Sequence, residues 1–302
     1  MTRLLQYPVP AEWDGALVKD FVRRGLGFSA RVLTQQKFLE GGLARNGEPC
    51  RAVDRLAAGD RLALAFPDEP VDYPPAAGEL AVVYEDGDYL IINKPPAMPV
   101  HPSPGHDTDS LLNRVAYYYE KTGQAHRVRP LYRLDKDTTG LEVLAKHRAA
   151  ASCSRAEKRY YAVCQGELSG CGTIDAPIGL GEGSRIVREC GRGQPAVTHW
   201  KALAAGQGHT LLSLELETGR THQIRCHLAG TGHPLAGDDL YGGSLALLPR
   251  QALHCGRVLL CCPALGMERE FQADLPQDLR RAFPWLPDWE DITKEEKLCP
   301  PA

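Results

Sequence analysis

The 302-residue chain lacks any apolar run that approaches the length of a membrane-spanning helix, and its first eight residues are not an apolar leader. We therefore expect neither secretion nor membrane insertion, and we expect a cytoplasmic protein. It also lacks zinc-ligand spacing, because its ten cysteines are scattered and no Cys-x-x-Cys pair occurs. The cysteines are expected to be reduced thiols, and no metal site is predicted.

The chain also lacks an excess of charge of one sign, since its formal net charge is -3 with 24% charged and 43% hydrophobic residues. This balance excludes a uniformly basic nucleic-acid binder and a disordered chain. Two local basic segments stand out. Residues 19–51 carry seven Lys and Arg against three acids, and residues 127–159 carry nine against four. A solvated surface explains such segments as readily as a binding face does.

The first part of the chain predicts a small α/β domain over residues 1–70, with a core at about 14–66. Ser29 can cap a helix from about Ala30 to Glu40, Asn46-Gly47 is a hairpin signal, and residues 61–66 alternate as a strand does. This layout resembles the RNA-binding domain first described in ribosomal protein S-four. The prolines around residues 71–77 predict an extended linker.

Residues 78–286 predict the main domain. Strands are expected at 80–84, 89–93, 141–145, 160–165 and 209–217, with helices from about Ser110 to Tyr119 and from near Thr221. Hairpins alternate irregularly with helices, which favours an α+β fold with a mixed, largely antiparallel sheet, flanking helices and a central cleft. Residues 287–302 are polar and are expected to form a loose tail.

One polar loop concentrates reactive side chains, Arg133-Leu-Asp-Lys-Asp-Thr-Thr-Gly140. Asp and Thr in a loop also serve turns and caps, so the loop alone does not indicate chemistry. Further polar blocks accompany it in order: Asn93-Lys-Pro-Pro, Lys158-Arg-Tyr-Tyr, Thr218-Gly-Arg-Thr-His-Gln-Ile-Arg and Gly232-His-Pro-Leu-Ala-Gly-Asp-Asp-Leu-Tyr-Gly242. Together these blocks resemble the RluA/RluD-type family of pseudouridine synthases over most of residues 78–285.

The resemblance implies an isomerase that converts uridine to pseudouridine in structured RNA, without a cofactor. It assigns the covalent chemistry to Asp135 rather than Asp137, and the neighbouring cation to Arg225, whose planar guanidinium could pair the carboxylate bidentately. Arg225 could otherwise be an ordinary exposed helix residue. Attack on the ribose, addition to uracil and abstraction of a sugar proton all remain open.

The resemblance further assigns Tyr160 as the active-site tyrosine, which would stack on uracil and could transfer a proton. Tyr161 competes for that role, because consecutive strand residues face opposite ways. Arg133 would fill the gap left by the flipped base, unless it pairs with Asp137 instead. Basic residues that could contact phosphates are Arg127, Arg129, Lys136, Arg155 and Arg159. Lys94, His101, His222, Gln223 and His233 are expected to shape the pocket without catalytic roles.

Several positions depart from the family pattern. Tyr132 stands where His is usual, Thr139 where Ser is usual, and Ala97 where Gly is frequent. The segment 147–157 is several residues shorter than usual, and substrate recognition is expected to differ there.

The expected partner is RNA, ribosomal rather than transfer RNA, and the protein is expected to be a monomer. A second hypothesis is an inactive RNA-binding or ribosome-assembly protein with the same fold, although the retained Asp135, Tyr160 and Arg225 argue against it. A third is a glycoside hydrolase, which needs a second acid beside the bond. Only Asp137 is near enough in the chain to supply it.

Overall fold

The computed structural model describes residues 2–67, 69–71 and 73–294. Its N-terminal part is a four-stranded antiparallel sheet in the order β1-β4-β2-β3, packed against two helical segments. The elements are β1 (Arg3–Pro8), α1 (Val18–Asp20) continuing as a π-helical stretch (Phe21–Gly25), α2 (Ala30–Phe38), β2 (Leu43–Arg45), β3 (Glu48–Pro49) and β4 (Arg61–Phe66). Ser29 caps α2 by accepting from the backbone of Val32, as predicted. Strand β1 was not predicted.

The rest of the chain builds a ten-stranded sheet and a separate two-stranded hairpin. Its elements are β5 (Val82–Glu85), β6 (Tyr89–Lys94), α3 (Leu111–Thr122), β7 (Arg129–Pro130), β8 (Thr139–Ala145), α4 (Arg148–Cys153), β9 (Arg155–Gln165), β10 (Cys171–Asp175), β11 (Ile178–Leu180), β12 (Arg188–Cys190), β13 (Val197–Gly206), β14 (His209–Leu216), α5 (Gln223–Gly230), β15 (Leu253–Cys262), β16 (Met267–Gln272), α6 (Gln277–Ala282) and α7 (Trp289–Lys294).

The main path of the large sheet runs β10-β13-β14-β9-β15-β8-β6-β5, with β16 on β15 and β7 on β8. Among the described strands of this sheet, only β8 and β15 pair in parallel, and the other pairs are antiparallel. The predicted α+β class with a mixed, largely antiparallel sheet is confirmed. Strand β11 pairs with β12 to form a hairpin that packs against α5.

Strands β8, β9 and β15 meet at the centre of the sheet, where every residue of β8 is buried. Gly140 enables the close approach of β8 to β15. It has φ +111°, and a Cβ there would lie 2.2 Å from the carbonyl oxygen of Cys255. Cys255 is in turn the register partner of Tyr160 on β9. The loop that precedes β8 is thereby held beside Tyr160.

Two expectations about the chain are wrong. The predicted loose tail contains helix α7, because Trp289 packs edge-on against Tyr161, with ring centroids 5.0 Å apart, and Ile292 is buried. Residues 295–302 of that predicted tail lie outside the described residues. The cysteines are not all reduced: the end of α4 and the end of β15 bring Cys153 and Cys262 together in a disulfide. Within the described ranges, no helix is long and apolar enough to cross a bilayer.

Candidate active site

A cleft of about 350 Å³ opens at the centre of the large sheet. Its walls come from the loop before β8, from β9, and from the segment that leads into α5. Four cationic side chains line it, from Arg133, Lys158, Arg220 and Arg225. Among the described residues that line the cleft, Asp135 is the only carboxylate. The cleft therefore suits an anionic ligand and offers it one nucleophilic oxygen pair.

Asp135 lies in a tight turn, where its carbonyl oxygen accepts from the backbone of Thr138 at 3.1 Å. Its side chain lines the cleft and is 24% exposed. Asp137 does not line the cleft, and its Oδ1 accepts from the backbone N–H of Ala97 at 3.1 Å. Ala97 has φ +57°, so Asp137 helps to hold a backbone conformation that alanine rarely adopts. The two aspartates thus have different tasks, and a glycosidase-like pair of acids is not assembled.

Arg225 projects from α5, and its side chain is only 8% exposed, so it is not an ordinary surface residue. Its Nη1 donates to Asp135 Oδ2 at 3.4 Å. Its Nε and Nη2 donate to Asp238 Oδ2 and Oδ1, both at 2.7 Å. The expected bidentate pairing with Asp135 is therefore wrong, because Asp238 occupies that side of the guanidinium. Burial lowers the pKa of Arg225, but the hydrogen bonds to Asp238 and the two carboxylate charges raise it overall.

His222 and Tyr241 complete the surroundings of this ion pair. His222 has φ +57°, in the left-handed region, and its Nε2 lies 4.0 Å from Asp135 Oδ2. Its Nδ1 is 3.0 Å from the hydroxyl of Tyr241, whose ring centroid lies 5.1 Å from Arg225 Cζ. Burial lowers the pKa of His222, which favours a neutral imidazole at neutral pH.

Tyr160 lines the cleft, whereas Tyr161 on the same strand faces away and packs against Trp289. Because neighbouring side chains of a strand face opposite ways, only one of the two tyrosines could line the cleft, and it is Tyr160. Burial raises the pKa of Tyr160 well above the usual range, and the charges of Glu142 and Asp135 add to this. Its phenol stays protonated at neutral pH, so it can serve as a ring surface and as a hydrogen-bond donor.

Arg133 is exposed at the mouth of the cleft. In the described part of the chain it forms no ion pair with Asp137, so the competing interpretation of a salt bridge is not supported. Lys158 lies deeper, with its Nζ 4.6 Å from the ring centroid of Tyr132, and burial lowers its pKa. Tyr132, which departs from the family pattern, donates its hydroxyl to the Leu141 carbonyl at 2.7 Å and supports the base of the loop.

The other predicted basic residues do not converge on the cleft. Arg127 and Arg129 both contact Glu69, in a groove between α2 and β7. Arg155 and Arg159 line a second groove of about 580 Å³ that adjoins the cleft along Lys158, and Arg159 pairs with Glu215 there. Lys136 is exposed on the loop that precedes β8.

Two buried ionisable groups lie beneath the loop. Lys94 Nζ donates to the carbonyls of Pro95, Met98 and Lys136 at 2.8–3.0 Å and joins the loop to the end of β6. Burial lowers the pKa of Lys94 to about 8. Glu142 accepts from the backbone of Leu134 at 3.2 Å, and burial raises its pKa to about 8.

Glu142, Asp238 and Tyr241 are site residues that the sequence did not predict. Asp238 and Tyr241 lie within the Gly232–Gly242 block that carried the resemblance, so their position in a matched motif was the available signal. Glu142 offered a different one, a carboxylate inside an otherwise apolar strand. Thr139 keeps the hydroxyl of the usual Ser, and this hydroxyl lies 2.9 Å from His254 Nδ1. In the described ranges, no group of His, Cys, Asp and Glu could hold a metal ion.

Comparison with known proteins agrees with this geometry. A family model described as RNA pseudouridylate synthase matches residues 88–230. The chain is 42% identical to the Bacillus subtilis uncharacterized RNA pseudouridine synthase YjbO, over 85% of this chain and 94% of that protein. It is 38% identical to Escherichia coli K12 ribosomal large subunit pseudouridine synthase D, over 78% and 79% of the two chains.

The fold is also similar to a solved structure, human RNA pseudouridylate synthase domain containing 1. The TM-score is 0.58 at 23% identity, and the match covers 76% of this chain and 99% of that chain. The ordered motifs, the α+β fold and relatives of this similarity and coverage lead to one conclusion: the chain belongs to the RNA pseudouridine synthase family and is an isomerase that acts on RNA.

Proposed function

We propose that this enzyme converts uridine to pseudouridine in large-subunit ribosomal RNA, with Asp135 as the nucleophile. The contact of Asp135 with Arg225 inside a cationic cleft is the observation that carries this proposal. The choice of RNA rests on the Escherichia coli relative, which is named ribosomal large subunit pseudouridine synthase D.

The reaction is an isomerisation, so every atom of the uridine except one exchanged proton is retained. The bond between ribose C1′ and uracil N1 breaks, the base turns, and a bond forms between C1′ and C5. N1 gains a proton and C5 loses one to solvent. A carboxylate can sustain this chemistry because it is both a nucleophile and a leaving group, provided that a cation keeps it ionised and aimed. Arg225 is the proposed cation.

Tyr160 is the proposed wall of the uracil pocket. A flipped base loses its stacking partners, at a cost of a few kcal/mol, and an aromatic ring restores part of that contact. Because the phenol stays protonated, we assign Tyr160 a stacking and hydrogen-bond-donating role and not that of a general base.

Arg133 is the proposed residue that replaces the flipped base in the RNA stack. Its exposure at the mouth of the cleft supports this, since a guanidinium plane can stack on bases and bind phosphate together. Arg155, Arg159 and Lys136 are proposed phosphate contacts along the adjoining groove and loop. Arg127 and Arg129 are proposed to meet RNA only at a distance from the cleft. The protein is proposed to act as a monomer.

Release of tritium from C5-labelled RNA tests the proposal. Large-subunit ribosomal RNA, small-subunit ribosomal RNA and transfer RNA, each transcribed with tritiated uridine, are incubated separately with the protein. We expect release from the large-subunit RNA only. Release from transfer RNA alone would overturn the substrate assignment, and binding without release from any of the three would favour an assembly factor without activity.

A further inference from the structure

The partners of the Arg225 guanidinium are arranged unequally. Its side edge, formed by Nε and Nη2, makes two parallel hydrogen bonds of 2.7 Å with Asp238. Its remaining end, Nη1, makes one longer contact of 3.4 Å with Asp135. Bidentate carboxylate pairs are the stronger and more directional kind. Arg225 is therefore fixed by Asp238 and only approaches Asp135.

Asp238 is well suited to this fixing role because its own position is tightly determined. Its side chain is completely buried, and its carbonyl oxygen accepts from the backbones of Tyr241 and Gly243 at 3.1 and 2.7 Å. Neighbouring Gly237 has φ +74°, and a Cβ there would lie 1.9 Å from the carbonyl oxygen of Arg250. A buried carboxylate needs a cation, and Arg225 is its partner here.

Tyr241 restrains the guanidinium from a second direction. Its ring lies against Arg225, and its hydroxyl accepts from the backbone of Arg188 at 2.9 Å. Arg188 begins strand β12, so the hairpin, the 236–243 loop and α5 are joined around one guanidinium. The hydrogen bonds to Asp238 and the contact with the Tyr241 ring together prevent Arg225 from turning its Nε–Nη2 edge toward the cleft.

We propose that Asp238 is a positioning residue for the isomerisation: by occupying the forked edge of Arg225, it limits the cation to a single contact with the nucleophile. This inference rests on the proposed function of Asp135. Two short charge-assisted hydrogen bonds would stabilise the carboxylate before it reacts and would make it a weaker nucleophile. A carboxylate held by one long contact remains ionised and directed, and keeps lone pairs for the substrate.

The test compares Asp238→Asn with Asp239→Asn, which makes the same chemical change at the exposed neighbouring residue. Single-turnover tritium release and equilibrium binding of large-subunit ribosomal RNA are measured separately. We expect Asp238→Asn to slow release by roughly 100-fold, because the guanidinium is displaced, while the Kd stays within about threefold. Asp239→Asn is expected to change neither.

Asp238→Glu keeps the charge but lengthens the side chain, and it covers the case in which Asp238→Asn does not fold. Its release rate is expected to fall between those of wild type and Asp238→Asn, again with binding retained. The inference is overturned if Asp238→Asn releases tritium within about fivefold of wild type, or if its loss of rate equals its loss of folded protein. The failure of this inference can be told apart from the failure of the proposed function. If the proposed function is wrong, either Asp135→Asn is active or the wild-type protein is inactive.

Discussion

Asp135 Oδ2 lies 3.4 Å from Nη1 of Arg225, and this is the one hydrogen bond between them. The other two guanidinium nitrogens, Nε and Nη2, donate to Asp238 at 2.7 Å. A point charge could supply the same attraction to Asp135, but it could not satisfy both carboxylates in this planar arrangement.

Arg225→Lys therefore tests whether geometry matters in addition to charge. Lysine keeps the positive charge but cannot make both contacts, so we expect turnover to fall by roughly 100-fold while RNA binding is retained. Arg220→Lys is the matched control, since Arg220 also lines the cleft but, among the described residues, pairs with no carboxylate; its Nε donates to the Pro195 carbonyl. Single-turnover tritium release measures both variants, and near-normal turnover of Arg225→Lys would contradict the geometric account.

Tyr160→Phe and Tyr161→Phe remove a hydroxyl from opposite faces of one strand. Tyr160→Phe keeps the ring that would stack on uracil but loses the hydrogen-bond donor, so we expect turnover to fall roughly tenfold, the equivalent of one lost hydrogen bond. Tyr161→Phe is expected to leave turnover unchanged, because Tyr161 packs against Trp289 outside the cleft. The assignment of Tyr160 to the active site is contradicted if Tyr161→Phe is slower than Tyr160→Phe.

Arg133→Ala is expected to lower turnover most on folded RNA, where the target base must leave a base stack. We expect about a tenfold loss of turnover, the scale of one lost stacking contact, with a smaller loss on an unstructured fragment of the same sequence. Lys136→Ala removes a proposed phosphate contact and is the comparison variant, because its loss of turnover is expected to be equal on the two RNAs. Equal losses on folded and unstructured RNA would indicate that Arg133 binds phosphate only.

Glu142 is expected to give the protein a specific dependence of stability on pH. Burial raises its pKa to about 8, so the native state keeps a proton that the unfolded state releases above its ordinary pKa. Stability should therefore fall as the pH rises from about 5 to about 8, on the order of 1 kcal/mol per pH unit. Lys94, whose pKa is lowered to about 8, adds its own dependence only above that value.

Urea unfolding at pH 5.5 and 7.5 checks this dependence. Glu142→Gln keeps an oxygen that can accept from Leu134 but cannot titrate, so its advantage over wild type should grow as the pH rises. Glu157→Gln, at an exposed position, should follow wild type at both pH values. A Glu142→Gln protein with the pH dependence of wild type would show that the carboxyl does not hold its proton in the native state.

The sequence predicted most of the elements because their signals are local. The Ser29 cap and the Asn46-Gly47 turn each act over a few residues, and the structure confirms both. Strand β1 gave a weak local signal, and it forms because residues 3–8 pair with β4 far along the chain. Helix α7 likewise depends on burying Trp289 against Tyr161.

The residues of the candidate site could likewise be predicted from the sequence only where they lie in a local motif. Asp135, Tyr160, Arg225 and Arg133 fall in contiguous motifs, and the structure brings all four to one cleft. The partner of Arg225 could not be read from spacing, because Asp238 reaches it through a loop whose path depends on Gly237. Two carboxylates were equally available to one arginine, and only the three-dimensional arrangement shows which takes the forked edge.

The nucleophile is tested most directly by tritium release from large-subunit ribosomal RNA by Asp135→Asn and by Asp137→Asn. We expect Asp135→Asn to bind the RNA with wild-type affinity and to release no tritium, since an amide cannot replace the carboxylate as nucleophile. Asp137→Asn, altered two residues away but outside the cleft, should retain most of the activity. Tritium release by Asp135→Asn at a rate near that of wild type would contradict the assignment.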